Sequence, residues 1–251
     1  MSERAGKLDR PDGEEIAWRR IDGEGPAVVW LGGFRSDMAG TKAQALADWA
    51  RASGRAYVRF DYLGHGESSG DFGTKGTITR WREDALAVLD GLVEGPAVLV
   101  GSSMGGWIAC LAAMARPQRV RAMVLVAPAP DFTEKLMEPE IPPHGRAALT
   151  ADGVWLRPSD YGDPDPITRT LLDDGARWSI LTGEAVPIEA PVRILQGGAD
   201  PDVPWSHALE LAQAIKGQDV VFTLIKDGDH RLSRPQDIAR LIAAVEEVTQ
   251  I

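Results

Sequence analysis

The sequence predicts an α/β protein with a mainly parallel sheet, helices on both faces and an inserted cap. Two observations carry this prediction. Short β-branched apolar runs alternate with longer segments whose apolar residues recur at helical spacing, and residues 131–190 interrupt that alternation. Such alternation builds right-handed βαβ units, and runs that are apolar throughout are typical of strands covered on both faces.

The individual strands and helices can be located from the same two patterns. The predicted strands are Ala27–Leu31, Ala56–Phe60, Ala97–Val100, Ala122–Val126, Val192–Gln196 and Val220–Ile225. The predicted helices are Thr41–Ala52, Thr77–Leu92, Gly105–Ala115, Ser206–Ile215 and Pro235–Gln250. The earlier segment Glu14–Ile21 is expected to add an antiparallel strand at one edge of the sheet.

Residues 131–190 are predicted to form a cap over one end of the sheet, inserted between core segments 1–130 and 191–251. The insertion is rich in Pro, Gly, Asp and Glu and contains no strong apolar strand. It is too long for a plain loop in a compact domain. A disordered linker is the alternative, but Trp155 and Trp178 bring apolar bulk that linkers rarely carry.

Charge and cysteine content argue against several classes of function. The chain has 27 Lys and Arg against 37 Asp and Glu, a net charge of −10, so a nucleic-acid partner, which needs a basic face, is not expected. The single cysteine, Cys110, cannot form an internal disulfide. We find no signal peptide or membrane span and expect a cytoplasmic location. No residue cluster has metal-ligand spacing and no dinucleotide motif follows a strand, so no metal or cofactor is expected.

The strongest chemical motif is GSSMG at residues 101–105, which has the G-x-S-x-G spacing with Ser103 at its centre. A predicted strand precedes the motif and a predicted helix follows it, as a nucleophile elbow requires. The helix N-terminus presents free N–H groups and a positive dipole end to developing negative charge. Ser103 is therefore the predicted nucleophile.

A serine hydroxyl needs a base, and His230 is the preferred candidate among four histidines. In hydrolases with such an elbow, the serine is followed by an acid after a late strand and by a base after the last strand. His230 follows the last predicted strand, whereas His207 begins a helical pattern and is interpreted as a solvated first-turn residue. The two remaining histidines precede the strand that should deliver the acid. Asp200 is the first carboxylate past that strand and is the predicted acid, with Asp202 as its rival.

An oxyanion hole needs two backbone N–H donors. Met104, directly after the nucleophile, is one predicted donor, and the turn after the strand Ala27–Leu31 provides the other. Gly32 and Gly33 let the backbone approach a substrate closely, so the second donor is assigned to Phe34. A plain tight turn is the alternative interpretation of the two glycines.

With these motifs in this order, the chain resembles the α/β-hydrolase superfamily and, within it, the mitochondrial palmitoyl-protein thioesterases, also described as mycophenolic acid acyl-glucuronide esterases. The matching stretches span most of the chain and include GFRS at 33–36, RFDY at 59–62, GSSMGGW at 101–107, GVW at 153–155 and DHR at 229–231. The resemblance implies an α/β-hydrolase fold and a Ser103–Asp200–His230 triad. It also implies hydrolysis of carboxylic esters or thioesters, with acyl glucuronides as further candidate substrates.

Four further residues are candidates for substrate binding. Arg35 and Arg231 could meet an anionic substrate group, although salt bridges are the commoner role of such arginines. Trp155 in the predicted cap and Trp205 after the acid could line an acyl pocket, with ordinary packing as the alternative.

The expected partner is a small-molecule ester or thioester, or an acylated protein, and the oligomeric state is left open. Two other functions remain as alternatives: an aminopeptidase-like amide hydrolase, and a non-catalytic protein that binds small molecules.

Overall fold

The predicted α/β class is confirmed by a computed structural model that describes residues 2–158 and 164–250. Residues 159–163, which belong to the predicted cap, lie outside the described residues. The strands are β1 Glu3–Asp9, β2 Glu15–Ile21, β3 Glu24–Leu31, β4 Arg55–Phe60, β5 Ala97–Ser102, β6 Val120–Val126, β7 Val154–Arg157, β8 Asp165–Thr168, β9 Val192–Gly197 and β10 Val220–Ile225. The helices are α1 Thr41–Ser53, α2 Phe72–Lys75, α3 Ile78–Leu92, α4 Met104–Ala115, α5 Pro143–Ala151, α6 Arg169–Ala176, α7 Trp205–Ala214 and α8 Pro235–Gln250.

Eight of these strands form the main sheet in the order β1-β2-β4-β3-β5-β6-β9-β10. All neighbours from β4 to β10 pair in parallel, while β1 and β2 are antiparallel to the strands beside them. Because the parallel strands run in the same direction, the segments that follow β3, β5, β6, β9 and β10 meet at the carboxyl-terminal ends of the strands. The candidate site residues lie in these segments.

The antiparallel edge differs from the prediction in one respect. The expected edge strand is present as β2, but β1 lies outside it and forms the true edge. Its sequence, ERAGKLD, has no apolar alternation that would predict a strand. Side-chain contacts hold β1 in place: the carboxylate of Glu3 accepts two hydrogen bonds from Arg59, each 2.9 Å long, and that guanidinium is only 1% exposed.

The core has two parts, one on each face of the sheet. Side chains of α1 and α8 pack on one face. Those of α3, α4 and α7 pack on the other, where the cap continues the same apolar cluster. The nearly unbroken apolar character of β3, β5 and β6 follows from this two-sided cover. No helix within the described residues combines the length and the apolarity that crossing a bilayer requires.

The described residues of the insertion 131–190 contribute no strand to the main sheet. They form a turn of π-helix, α5, α6 and the separate antiparallel pair β7–β8. Two buried carboxylates tie this segment to itself and to the core. Asp131 accepts hydrogen bonds from the backbone N–H groups of Ile180 at 2.8 Å and Leu181 at 2.7 Å, and Asp174 accepts two from Thr79 at 2.7 Å.

Candidate active site

Ser103 occupies the sharp turn between β5 and α4. Its backbone has φ 55° and ψ −120°, a conformation that non-glycine residues rarely adopt and that costs of order 1–3 kcal/mol. Its backbone N–H donates to the carbonyl of Val126 at 2.9 Å, which fixes the turn against β6. A Cβ atom added to Gly105 would lie 2.1 Å from the carbonyl oxygen of Leu31, so only glycine lets the helix start this close to β3.

His230 follows β10 and reaches across to Ser103. Its Nε2 lies 3.1 Å from the Ser103 Oγ, within hydrogen-bonding distance. The loop that carries it is held by Asp229, whose carboxylate accepts the backbone N–H of Leu232 at 2.9 Å. The imidazole is 22% exposed, so it faces the cavity while its other edge contacts protein.

Asp200 follows β9 and fixes the orientation and protonation of the imidazole. Its Oδ2 lies 2.9 Å from Nδ1 of His230, and the carboxylate is fully buried. Because an ionised carboxylate can only accept, Nδ1 carries the proton and Nε2 is left with the lone pair that faces Ser103.

The surroundings of Asp200 keep its carboxylate ionised. Burial alone raises the pKa of Asp200, but the hydrogen bond from His230 and the backbone N–H groups of Asp202 and Val203 outweigh it, so the pKa lies below its usual value. Those two N–H groups donate to Oδ1 at 2.9 Å each, and Gln196 donates to Oδ2 at 3.1 Å.

The rival acid and the rival base occupy other places. Asp202 is exposed and donates its backbone N–H to the carboxylate of Asp200. One ligand atom each from Asp200, Asp202 and His230 lie within 4.8 Å of one another, a spacing that could hold a metal ion. A cation there would have to replace the proton between the buried carboxylate and the imidazole. The interpretation of His207 as a solvated residue is wrong. Its ring is buried and its Nε2 donates to the carbonyl of Pro130 at 2.7 Å, because the start of α7 packs against the segment after β6.

The two predicted oxyanion donors, Phe34 and Met104, both lie close to Ser103. A Cβ atom added to Gly33 would be 3.4 Å from the Ser103 Cβ, so the turn after β3 passes directly over the elbow. Among the described residues, the backbone N–H groups of Phe34 and Met104 have no hydrogen-bond partner. Both residues line the same cavity as Ser103 and His230, so both N–H groups are available to a developing oxyanion.

The cavity has a volume of about 550 Å³, the size of a small-molecule site. The apolar residues of its lining include Phe34, Ala129, Phe132, Leu136, Met137 and Val203. The charged side chains in its lining are Arg35, Asp37, Lys42, Glu140, Arg157, Asp165, Asp202 and Arg231.

The two tryptophans predicted for an acyl pocket are not part of this lining, which corrects that prediction. Trp155 is 8% exposed and packs inside the cap against Gly145, where an added Cβ would lie 2.9 Å from its ring. Trp205 begins α7 and is 46% exposed. The segment DFTEKLM at residues 131–137, which follows β6 after a gap of four residues, supplies Phe132, Leu136 and Met137 instead, and the spacing of these apolar residues is a signal that sequence reasoning did not use.

Arg35 does reach the cavity, but it does so as part of an ion-pair group. Its Nε lies 3.1 Å from Asp165, whose other carboxylate oxygen is 2.9 Å from Arg157. Two guanidinium groups therefore share one mostly buried carboxylate and leave one net positive charge at the cavity wall. Sequence reasoning found neither cap residue, because nothing in their local sequence indicates that the chain brings them to the oxyanion turn.

Comparison with known proteins supports the same fold. A solved putative hydrolase from Agrobacterium vitis S4 is 45% identical and superposes with a TM-score of 0.92, covering 99% of this chain and 98% of that one. Mouse alpha/beta hydrolase domain-containing protein 10 is 33% identical, with a TM-score of 0.89 and 98% of both chains covered. The cattle (Bos taurus) protein named palmitoyl-protein thioesterase ABHD10, mitochondrial, is 37% identical over 96% of this chain and 78% of its own length. The profile of the alpha/beta hydrolase family matches residues 28–241, and the chain belongs to that family.

Proposed function

We propose that the protein is a serine hydrolase that cleaves carboxylic esters or thioesters through an acyl-enzyme intermediate. One observation carries the proposal: an imidazole lies 3.1 Å from a strained serine hydroxyl and 2.9 Å from a buried carboxylate, beside two backbone N–H groups that have no partner among the described residues. A nucleophile, a base, an acid that orients the base and an oxyanion hole are the parts that acyl transfer requires.

In the first half-reaction, Ser103 Oγ attacks the acyl carbonyl carbon while His230 Nε2 takes the hydroxyl proton. The carbonyl oxygen becomes an oxyanion and receives hydrogen bonds from the N–H groups of Phe34 and Met104. When the tetrahedral intermediate collapses, the bond to the leaving oxygen or sulfur breaks and His230 gives its proton to that atom. Asp200 stabilises the imidazolium that exists between these two transfers.

In the second half-reaction, water takes the place of the leaving group. His230 removes a proton from the water, whose oxygen attacks the acyl carbon, and the same two N–H groups hold the oxyanion. Collapse then releases the carboxylic acid, and the proton returns to Ser103 Oγ. The whole cycle consumes one water and needs no redox partner.

The cavity and the relatives together favour an acyl substrate. Relatives that are 34–37% identical to this chain are named palmitoyl-protein thioesterases, and a palmitoyl thioester is an acyl thioester. The apolar residues of the cavity lining, among them Phe132 and Leu136, suit an acyl chain. The net positive charge that Arg35 and Arg157 leave beside Asp165 makes acyl glucuronides, whose sugar carries a carboxylate, a second group to test. The cytoplasmic location stays a prediction.

The proposal is tested in two steps. A fluorophosphonate probe should label the wild-type protein and fail to label Ser103→Ala, with His144→Gln, an exposed cap variant, labelled as well as wild type. A panel of aryl esters of rising chain length, acyl thioesters, acyl glucuronides and an aminoacyl amide then defines the subclass, since a preference of about 1.4 kcal/mol is a tenfold rate ratio. Labelling that survives Ser103→Ala would reject the nucleophile, and a preference for the amide would reject the ester or thioester assignment.

A further inference from the structure

His65 is a buried histidine outside the three proposed catalytic side chains, and it contacts the oxyanion turn. Its Nε2 lies 3.2 Å from the backbone nitrogen of Arg35, which donates to it, and its Nδ1 lies 3.1 Å from the carbonyl of Leu63. We propose that His65 is a positioning residue for the oxyanion hole: it holds the turn that carries the Phe34 N–H by accepting the next N–H along the chain. This inference rests on the proposed hydrolase function.

The two contacts determine the protonation state of the ring. A backbone carbonyl only accepts, so Nδ1 must carry the proton that it donates to Leu63. A backbone N–H only donates, so Nε2 must be unprotonated to accept from Arg35. Burial lowers the pKa of His65 to about 4, and the nearby guanidinium of Arg35 acts in the same direction, although the Leu63 carbonyl opposes it. The imidazole is therefore neutral at neutral pH and present as the single tautomer that fits both partners.

The ring is also held in one orientation. It is 4% exposed and makes edge-on contacts with Tyr62, Phe72 and Trp81 at centroid distances of 5.8, 5.2 and 5.3 Å. The indole of Trp81 donates to the same Leu63 carbonyl at 3.2 Å. An acceptor so enclosed by aromatic rings has little freedom to follow a moving backbone, so the backbone must stay where the acceptor is.

The turn needs such a support because Arg35 is strained. Its φ of 58° lies in the left-handed region, where a non-glycine residue costs of order 1–3 kcal/mol. The N–H of Ser36 donates to the carbonyl of Gly33 at 3.2 Å, which closes a four-residue turn with Arg35 at its third position. A positive φ at that position is typical of a type II turn, whereas a residue with a side chain relaxes to type I by reversal of the peptide between the second and third residues. That reversal would point the Arg35 N–H away from His65.

The hydrogen bond to His65 is thus the contact that opposes relaxation of the turn from the backbone side. The ion pair between Arg35 and Asp165 acts on the side chain and does not fix the peptide. The Phe34 N–H lies in the preceding peptide, between Gly33 and Phe34, and reversal changes the ψ angle of Phe34. A turn that interconverts between the two types therefore no longer holds this N–H at one distance and angle from the oxyanion. Oxyanion stabilisation depends on donors that are in place before the charge develops, so loss of the acceptor should slow catalysis more than it weakens substrate binding.

A pair of amide substitutions separates positioning from packing. The amide group of glutamine reaches the place of Nε2, whereas that of asparagine reaches only the place of Nδ1. His65→Gln can still accept from Arg35, and His65→Asn retains only the contact with Leu63. For an aryl ester, we expect His65→Asn to lower kcat by roughly ten- to a hundredfold with KM within about threefold, less than the 10²–10³-fold loss for a deleted donor. We expect His65→Gln to recover kcat to within about threefold of wild type, and His144→Gln to match wild type.

Equal losses of kcat in both variants, or full activity in His65→Asn, would overturn the inference. If His65→Asn does not fold, amide hydrogen exchange at Arg35 in wild type and His65→Gln decides: slow exchange in both supports the hydrogen bond, and fast exchange in the wild type refutes it. The exchange measurement does not depend on activity. If the wild type shows no Ser103-dependent turnover, the proposed function fails while the exchange data still report on the turn.

Discussion

Substitution of Asp200 by asparagine keeps the shape of the acid but changes what it can accept. The carboxylate accepts at both oxygens: Oδ1 from the backbone N–H groups of Asp202 and Val203, and Oδ2 from His230 and Gln196. An amide has one accepting oxygen, so it must choose between these two pairs of donors.

The structure indicates which pair the amide serves. A flipped amide would leave the part-buried backbone N–H of Val203 facing its NH2, at about 1–3 kcal/mol for a buried donor left unpaired, whereas the exposed N–H of Asp202 can turn to water. Gln196 loses less when the amide oxygen turns away from it, because its Nε2 still donates to the carbonyls of Gly197 and Val203 at 3.2 and 3.0 Å. The amide oxygen therefore turns to the backbone, by about 1–3 kcal/mol, and its NH2 faces His230. The imidazole must then accept at Nδ1 and carry its proton on Nε2, where it cannot act as a base toward Ser103.

The expected fall in kcat follows from that preference. At 1.4 kcal/mol per factor of ten, the productive orientation is populated about fivefold less at the low end and about 140-fold less at the high end. Steady-state kinetics on an aryl ester measures the loss, and ¹⁵N NMR of the imidazole of His230 should show the proton moved from Nδ1 to Nε2. Asp173→Asn, an exposed change on α6, is the matched control. A loss of less than threefold in Asp200→Asn, with the proton still on Nδ1, would refute the assignment of the acid.

Three further variants test the surroundings of the site. Asp165→Asn removes the carboxylate that Arg35 and Arg157 share, so both guanidinium groups can pair with the carboxylate of an acyl glucuronide. KM for that substrate should fall about three- to tenfold relative to KM for a neutral ester, and an equal change for both substrates would contradict a role of these charges in binding. Glu3→Gln leaves the buried guanidinium of Arg59 without its counter-charge, so the free energy of unfolding measured by chemical denaturation should fall by about 3–5 kcal/mol. Lys7→Gln, at an exposed ion pair, should lower it by less than about 0.5 kcal/mol, and equal losses in the two variants would refute the effect of burial. Burial raises the pKa of Asp61 to about 6, so the contribution of this carboxyl group to stability is present at low pH and is lost as pH rises through 6. In urea titrations, the free energy of unfolding of the wild type relative to Asp61→Asn should fall by about 2 kcal/mol between pH 4.5 and 7, and a difference that stays constant with pH would contradict the raised pKa.

The parts of the fold that were predictable are those in which local pattern and tertiary environment agree. Strands β3 to β6 and β9 are buried on both faces, so their apolar runs are visible in sequence. Strand β10 lies at the edge of the sheet with Val221 and Leu224 nearly half exposed, but its run VVFTLI is apolar enough to be located as well. The elbow could be located because its glycines are demanded by contacts within a few residues of Ser103 and by one neighbouring strand. The chain order of Asp200 and His230 follows from strand order, and the structure brings both to the serine as that order predicts.

The parts that were missed depend on contacts that have no local signature. Strand β1 is polar and is held by its ladder to β2 and by the contact of Glu3 with Arg59, 56 residues away. The partner of Arg35 lies 130 residues away, in a cap whose path over the sheet no periodicity describes. Trp155 was a candidate for lining an acyl pocket, with ordinary packing as the alternative, and its ring packs against Gly145 inside the cap.

Backbone strain is concentrated beyond the carboxyl-terminal ends of the sheet strands, where the site lies. Among the described residues, those other than glycine with positive φ are Arg35, Ser103, Ala127, Asp131 and Leu232. Each follows the carboxyl end of a strand and lines the cavity or lies within two residues of its wall. Each is also held by a specific hydrogen bond. Four of them donate a backbone N–H, to His65, Val126, Leu195 or Asp229, and the carboxylate of Asp131 accepts from the backbone N–H groups of Ile180 and Leu181. Because such conformations persist only where the surroundings over-determine them, these bonds act on the geometry of the site as much as on stability. Variants that remove them should therefore lose more activity than their change in unfolding free energy alone would explain.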